Sequence, residues 1–99
     1  MDDRRARPRK GIEFFFNKYI GGYPYMCRAV DISASGIQAV VIHEPSTALD
    51  AFPIELRVPG DSHIFWVWGR KVRSRGRRQS IEFTNLTAEE SQRLARALE

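Results

Sequence analysis

Two arginines stand four positions apart near the start of the chain, in Arg5-Ala6-Arg7-Pro8-Arg9. A guanidinium presents paired donors that match two phosphate oxygens, or the O6 and N7 acceptors of guanine. Two such forks on one short segment can close over an anionic ligand, although any basic tail can produce the spacing. A second group lies at Asp31-Ile32-Ser33-Ala34-Ser35-Gly36. An ionised Asp31 only accepts hydrogen bonds, which suits the ring N–H and amino donors on the Watson–Crick edge of guanine. Ser33 follows two residues later and shares a strand face with Asp31. Gly36 permits a positive φ and a close backbone approach. The same residues also fit an Asx or serine turn closing a hairpin.

Twenty-one residues separate Arg9 from Asp31, room for a strand, a connection and a second strand. With that spacing the two motifs together resemble the PilZ domain family, bacterial receptors for cyclic di-GMP, whose pattern is Arg-x-x-x-Arg followed by Asp/Asn-x-Ser-x-x-Gly. The resemblance spans nearly the whole chain. It takes in Gly69-Arg70-Lys71-Val72-Arg73, and Ser80-Ile81-Glu82-Phe83 leading on to Leu86. It implies that Arg5 and Arg9 contact phosphate and the Hoogsteen edge of guanine, that Asp31 accepts from a guanine, and that Ser33 and Gly36 shape the floor. It further implies a contact from Arg4, where family members often carry another arginine. Arg73 takes the late-strand position where an aromatic or an arginine stacks near a base in some members. A stand-alone receptor of this kind changes conformation on binding and signals through a partner protein. The other readings are a PilZ-fold adaptor that binds no nucleotide, and a small barrel that binds RNA or single-stranded DNA. The intact motifs argue against the adaptor, and an acidic residue inside the site argues against a general nucleic-acid groove.

The rest of the composition supports a binding protein rather than an enzyme. The chain has 99 residues, 42% hydrophobic and 28% charged, with a net charge of +4. That is the size and balance of one globular domain with one core. A basic balance suits phosphate-bearing partners. No Ser/His/Asp spacing, carboxylate pair or phosphate-binding glycine loop is present. His43 and His63 are isolated from each other and from Cys27, so no metal or cofactor is expected. A single cysteine, Cys27, forms no internal disulfide, which fits the cytoplasm, and its apolar neighbours make it a buried structural thiol. No apolar run approaches the ~20 residues of a membrane span.

The elements that must position these groups are short strands. Residues 1–10 are polar, carry Pro8 and have no periodic apolar face, so they read as a flexible basic arm, with the barrel domain occupying 11–99. Ile12–Phe16 is an apolar run, and Asn17–Pro24 reads as a loop or wide hairpin connection because of Gly21, Gly22 and Pro24. Core filling with scattered surface rings accounts for the aromatic segment 14–23. Tyr25–Ser33 alternates, with Val30 and Ile32 facing the core. Ile37–Ile42, Pro53–Val58, His63–Ser74 and Gln79–Thr84 are further strands. Trp66 and Trp68 share one strand face and read as core. The basic stretch Arg70–Arg78 reads as a solvated face. Thr87 with Glu90 forms a capping box that starts a helix over about 87–98, with Leu94 and Leu98 as its apolar stripe. The sum is a mainly β fold: a six- or seven-stranded antiparallel barrel, which removes exposed strand edges, with a C-terminal helix.

Overall fold

The computed structural model describes residues 13–99. The readings that fall on the arm, including Arg4, Arg5 and Arg9, lie outside the described residues. The expected mainly β architecture holds, with six strands: β1 (Phe14–Ile20), β2 (Tyr23–Ser33), β3 (Gly36–Val41), β4 (Ala51–Leu56), β5 (Phe65–Arg75) and β6 (Arg78–Phe83), followed by α1 (Ala88–Ala97). The strands close into an antiparallel barrel in the order β1-β2-β3-β6-β5-β4, with β4 returning to β1 through Asn17↔Glu55 and Lys18↔Ile54.

Alternation decides what enters the barrel. Phe14, Phe16 and Ile20 of β1 point inward, as do Phe52, Ile54 and Leu56 of β4 and Phe65 and Val67 of β5. Asn17–Ile20 is strand, not loop. The third inward position of β1 is a lysine, Lys18, so the period-two apolar signal breaks at a point where the backbone does not. The hairpin turn itself is only Gly21-Gly22, with φ values of 63° and 87°. Both lie in the left-handed region that a two-residue turn of this hand requires.

Two bulges interrupt the alternation. The β2–β3 register runs Ala29↔Ala39 and then Asp31↔Gln38, leaving Val30 as the extra residue. The β5–β6 register runs Lys71↔Ile81 and then Arg73↔Ser80, leaving Val72 extra. A bulge inserts one residue and so inverts the face of everything after it. Val30 is therefore only half-buried and is not a core residue, whereas Cys27, Ala29 and Ile32 are fully buried.

Trp66 and Trp68 are not core either: they are 54% and 45% exposed. Their neighbours Phe65, Val67 and Gly69 take the inward positions. The interior has no room for larger groups there, because a Cβ on Gly69 would come within 2.4 Å of Ile54 Cδ1 and 2.7 Å of Ile81 Cγ2.

Helix α1 starts as the capping box requires. The Thr87 hydroxyl accepts from the Glu90 N–H at 3.0 Å, and the Glu90 carboxylate accepts from the Thr87 N–H at 3.1 Å. Leu94 is fully buried against the barrel, with Leu86, Ala97 and Leu98 packed around it. A helix this short depends on such packing more than on propensity.

Candidate functional site

The bulge at Val30 gives Asp31 and Ser33 the outward register, although by simple alternation they would follow Cys27 and Ala29 inward; Asp31 reaches the surface half-buried, and Ser33 stays covered. The bulge at Val72 does the same for Arg73. Outward partners then line up across four strands. One row runs Asp31, Gln38, Ser80, Arg73. The next runs Ser33, Gly36, Glu82, Arg70, closed by an ion pair of 2.7 Å between Arg70 and Glu82. Adjacent strands are about 4.8 Å apart, so either row spans roughly 14 Å. Of the sequence-derived site residues, the structure thus brings Asp31, Ser33, Gly36 and Arg73 onto one face of the barrel.

The groups differ in what they offer there. Ser33 is buried, and its hydroxyl is committed to the turn: it accepts from the Ser35 N–H at 3.2 Å and lies 3.0 Å from the Ser35 hydroxyl. Its place is in the scaffold of the site. Gly36 starts β3 pressed against β6, where a Cβ would stand 2.5 Å from the Ile81 carbonyl oxygen. Glycine is needed here for close approach, not for an unusual φ. The resulting trough, about 200 Å³, is lined by Ser35, Gly36, Gln38, Val72, Ser80 and Glu82, with the Ile37 and Ile81 backbones beneath. Asp31 is half-buried and Arg73 exposed at either side of it. The trough offers hydrogen-bond donors and acceptors.

Sequence reasoning missed the polar group inside the barrel. Lys18 is 1% exposed. Its Nζ lies 2.7 Å from Gln79 Oε1, 2.8 Å from Glu44 Oε1 and 4.4 Å from the centre of the Phe52 ring. Gln79 in turn donates to Glu44 at 3.3 Å. A buried ammonium needs such partners. They come from β6 and from the segment between β3 and β4, so no local signal could have found them. Cys27 lies in this interior. Burial pushes its thiol up to about 11, with Lys18 lowering and Glu44 raising it; it is a neutral packing group at ordinary pH.

The outer surface of β1, β4, β5 and the first half of β2 has another character. Phe15, Met26 and Trp66 are each more than half exposed, and the Tyr19 and Trp66 rings meet at 5.5 Å between centroids. Glu55 sits among them. Hydrogen bonds from Asn17, Arg57 and Tyr19 hold its carboxyl below the usual carboxylate range, against the opposing effect of burial.

A family model described as PilZ domain matches residues 3–99. The PilZ domain with c-di-GMP of YcgR from Escherichia coli superposes with a TM-score of 0.78 at 19% identity, over 97% of this chain and 89% of that one. The Bacillus subtilis inhibitor of motility, MotI/DgrA, gives a TM-score of 0.74 at 19% identity, over 98% of this chain but 50% of that one. YcgR in complex with c-di-GMP gives 0.68 at 18% identity, over 94% and 43%. No curated protein is a significant match to the chain. Identities this low speak to the barrel architecture, and the family model speaks to kinship.

Proposed function

We propose that this chain, which belongs to the PilZ domain family, is a receptor for cyclic di-GMP that passes the signal to a partner protein. The observation that carries the reading is the outward row Asp31-Gln38-Ser80-Arg73 beside the trough at Gly36, in a chain whose N-terminal segment supplies Arg4, Arg5 and Arg9. YcgR, described as a complex with c-di-GMP, supports the ligand class.

Each residue has a role set by its chemistry. Arg5 and Arg9 grip phosphate and the Hoogsteen edge of guanine with paired donors, and Arg4 adds a further cation. Asp31 accepts from the N–H groups of guanine. Ser33 holds the turn, Gly36 lets β3 lie close on β6 and so shapes the floor, and Arg73 stacks its guanidinium plane on a base. The arginine segment closes over the ligand, and the changed surface is what a partner reads.

Titration calorimetry with cyclic di-GMP tests the reading. One or two nucleotides bind per chain, and cyclic di-AMP binds at least ~tenfold more weakly, about 1.4 kcal/mol, because adenine presents a donor where guanine has O6. Hydrogen exchange over residues 2–10 slows when the nucleotide is added. No heat at high micromolar ligand refutes the receptor and leaves the non-binding adaptor. Equal affinity for the two nucleotides refutes the base-reading role of Asp31 and the arginines.

A further inference from the structure

A second track of side chains follows β5 itself, and the cyclic di-GMP reading uses only one member of it. Trp66 and Trp68 occupy consecutive outward positions, about 7 Å apart along the strand, and roughly half of each is exposed. Trp66 leans on the Tyr19 ring. Past Arg70, which Glu82 neutralises at 2.7 Å, the same strand presents Arg73 and Arg75, and the hairpin adds Arg77 and Arg78. All four are exposed, and none pairs with a carboxylate among the described residues. Unpaired arginines this close repel one another, and exposed indoles leave apolar area in water. A ligand that is flat and apolar at one end and anionic along its length relieves both.

We propose that this stripe binds a single-stranded polynucleotide, with bases stacked on Trp66 and Trp68 and phosphates held by Arg73, Arg75, Arg77 and Arg78. Aromatic platforms joined to a cationic track are how small barrels hold single strands, and stacking of this kind does not depend on base identity. The bases of a duplex are already stacked and leave no face for an indole. An acidic peptide matches the charge, but the usual way to seat an extended peptide on a strand is by adding it to a sheet edge. Here β5 pairs with β4 over Phe65–Arg70 and with β6 over Gly69–Arg75, so no single open edge runs the length of the stripe, and what is continuous along it is the row of side chains. Flat rings and guanidinium forks in series match alternating bases and phosphates.

The test uses the full chain with fluorescein-labelled oligothymidylate and oligouridylate of about twelve nucleotides, within the site size of small barrels. Fluorescence anisotropy at about 50 mM salt, where phosphate contacts are strong, shows binding. Intrinsic tryptophan fluorescence is quenched as the strand is added. Trp66→Ala and Trp68→Ala each weaken binding roughly tenfold, Trp68→Phe restores most of it, and all three keep the heat of cyclic di-GMP binding. An Arg75→Gln, Arg77→Gln double variant flattens the salt dependence by roughly 1.4 in the log–log slope, two phosphates at about 0.7 each for a single strand. Absence of binding overturns the proposal. So does binding that neither quenches tryptophan nor changes in the alanine variants, which describes a purely ionic film. A polyglutamate peptide that binds as tightly and needs the tryptophans overturns it in favour of an acidic protein partner. Oligonucleotide binding without cyclic di-GMP binding would sink the receptor reading and leave this one standing.

Discussion

The two outer faces of this barrel are built under different rules. The face formed by β2, β3 and β6 is polar and recessed, with its trough at Gly36, Gln38 and Ser80. The face formed by β1, β4 and the first half of β5 is aromatic and level, with Phe15, Tyr19, Trp66 and Trp68, and its carboxylate Glu55 is saturated by Asn17, Tyr19 and Arg57. The aromatic face follows plain alternation along every strand. The polar face owes its composition to the bulges at Val30 and Val72, which lie on the two strands that border it. The inverted face is where the barrel presents Asp31 and Arg73. A bulge is thus how this fold moves polar groups from inward to outward register without altering its core.

The sharpest way to break the comparison is to remove what both faces share, the polar group inside. Lys18→Ala leaves Glu44 without its cation and opens a cavity beside Phe52, and is expected to cost about 3 kcal/mol or more of folding stability. Chemical denaturation measures it, and a loss under 1 kcal/mol would mean that the pair contributes little to the barrel.

The polar face should lose ligand affinity without losing its fold. Arg9→Ala and Asp31→Ala each cost roughly 1.5–3 kcal/mol of cyclic di-GMP binding. Only the arginine variant flattens the salt dependence, because only it removes a phosphate contact. Calorimetry at two salt concentrations separates them, and an arginine variant with wild-type affinity would remove the segment from the site.

Backbone proximity distinguishes the faces next. Gly36→Ala drives a Cβ against the Ile81 carbonyl and should cost about 1–3 kcal/mol of stability. Trp66→Ala on the level face should stay within about 0.5 kcal/mol of wild type. Thermal melts of the two variants side by side check this, and equal losses would contradict the contrast.

The smallest effect is confined to high pH. The Cys27 thiol is raised from 9.0 to about 11. The folded protein therefore holds its proton where the unfolded chain has released it. Stability from this group is fully present below pH 9.0 and falls as pH rises through about 11. Near neutral pH an added thiol reagent reacts slowly with the folded chain. Fast modification there, at the rate of the unfolded chain, would show that the thiol is not buried.

Much of this molecule is determined by local sequence. The capping box at Thr87 and Glu90, the Gly21-Gly22 turn, the strand at Gln79–Thr84 and the inward alternation of β4 are each written in neighbouring residues, because caps, turns and period-two burial act over a few positions. The motif residues Asp31, Ser33 and Gly36 were legible in the same way. Their place on the face opposite Ile32 was legible too, but the bulge that puts them there was not. Val30 looks like any β-branched core residue, and only pairing with β3 leaves it surplus. Lys18 looks like a break in a strand, and only Gln79 and Glu44, far away in sequence, make its inward position tolerable. Trp66 and Trp68 lie in the run Phe65-Trp66-Val67-Trp68, which is apolar on both faces and carries no alternation to read. Closure of six strands decided that question. The interior around Ile54 and Ile81 is too narrow even for a Cβ at Gly69, so the smaller parity went in and the indoles were left facing solvent.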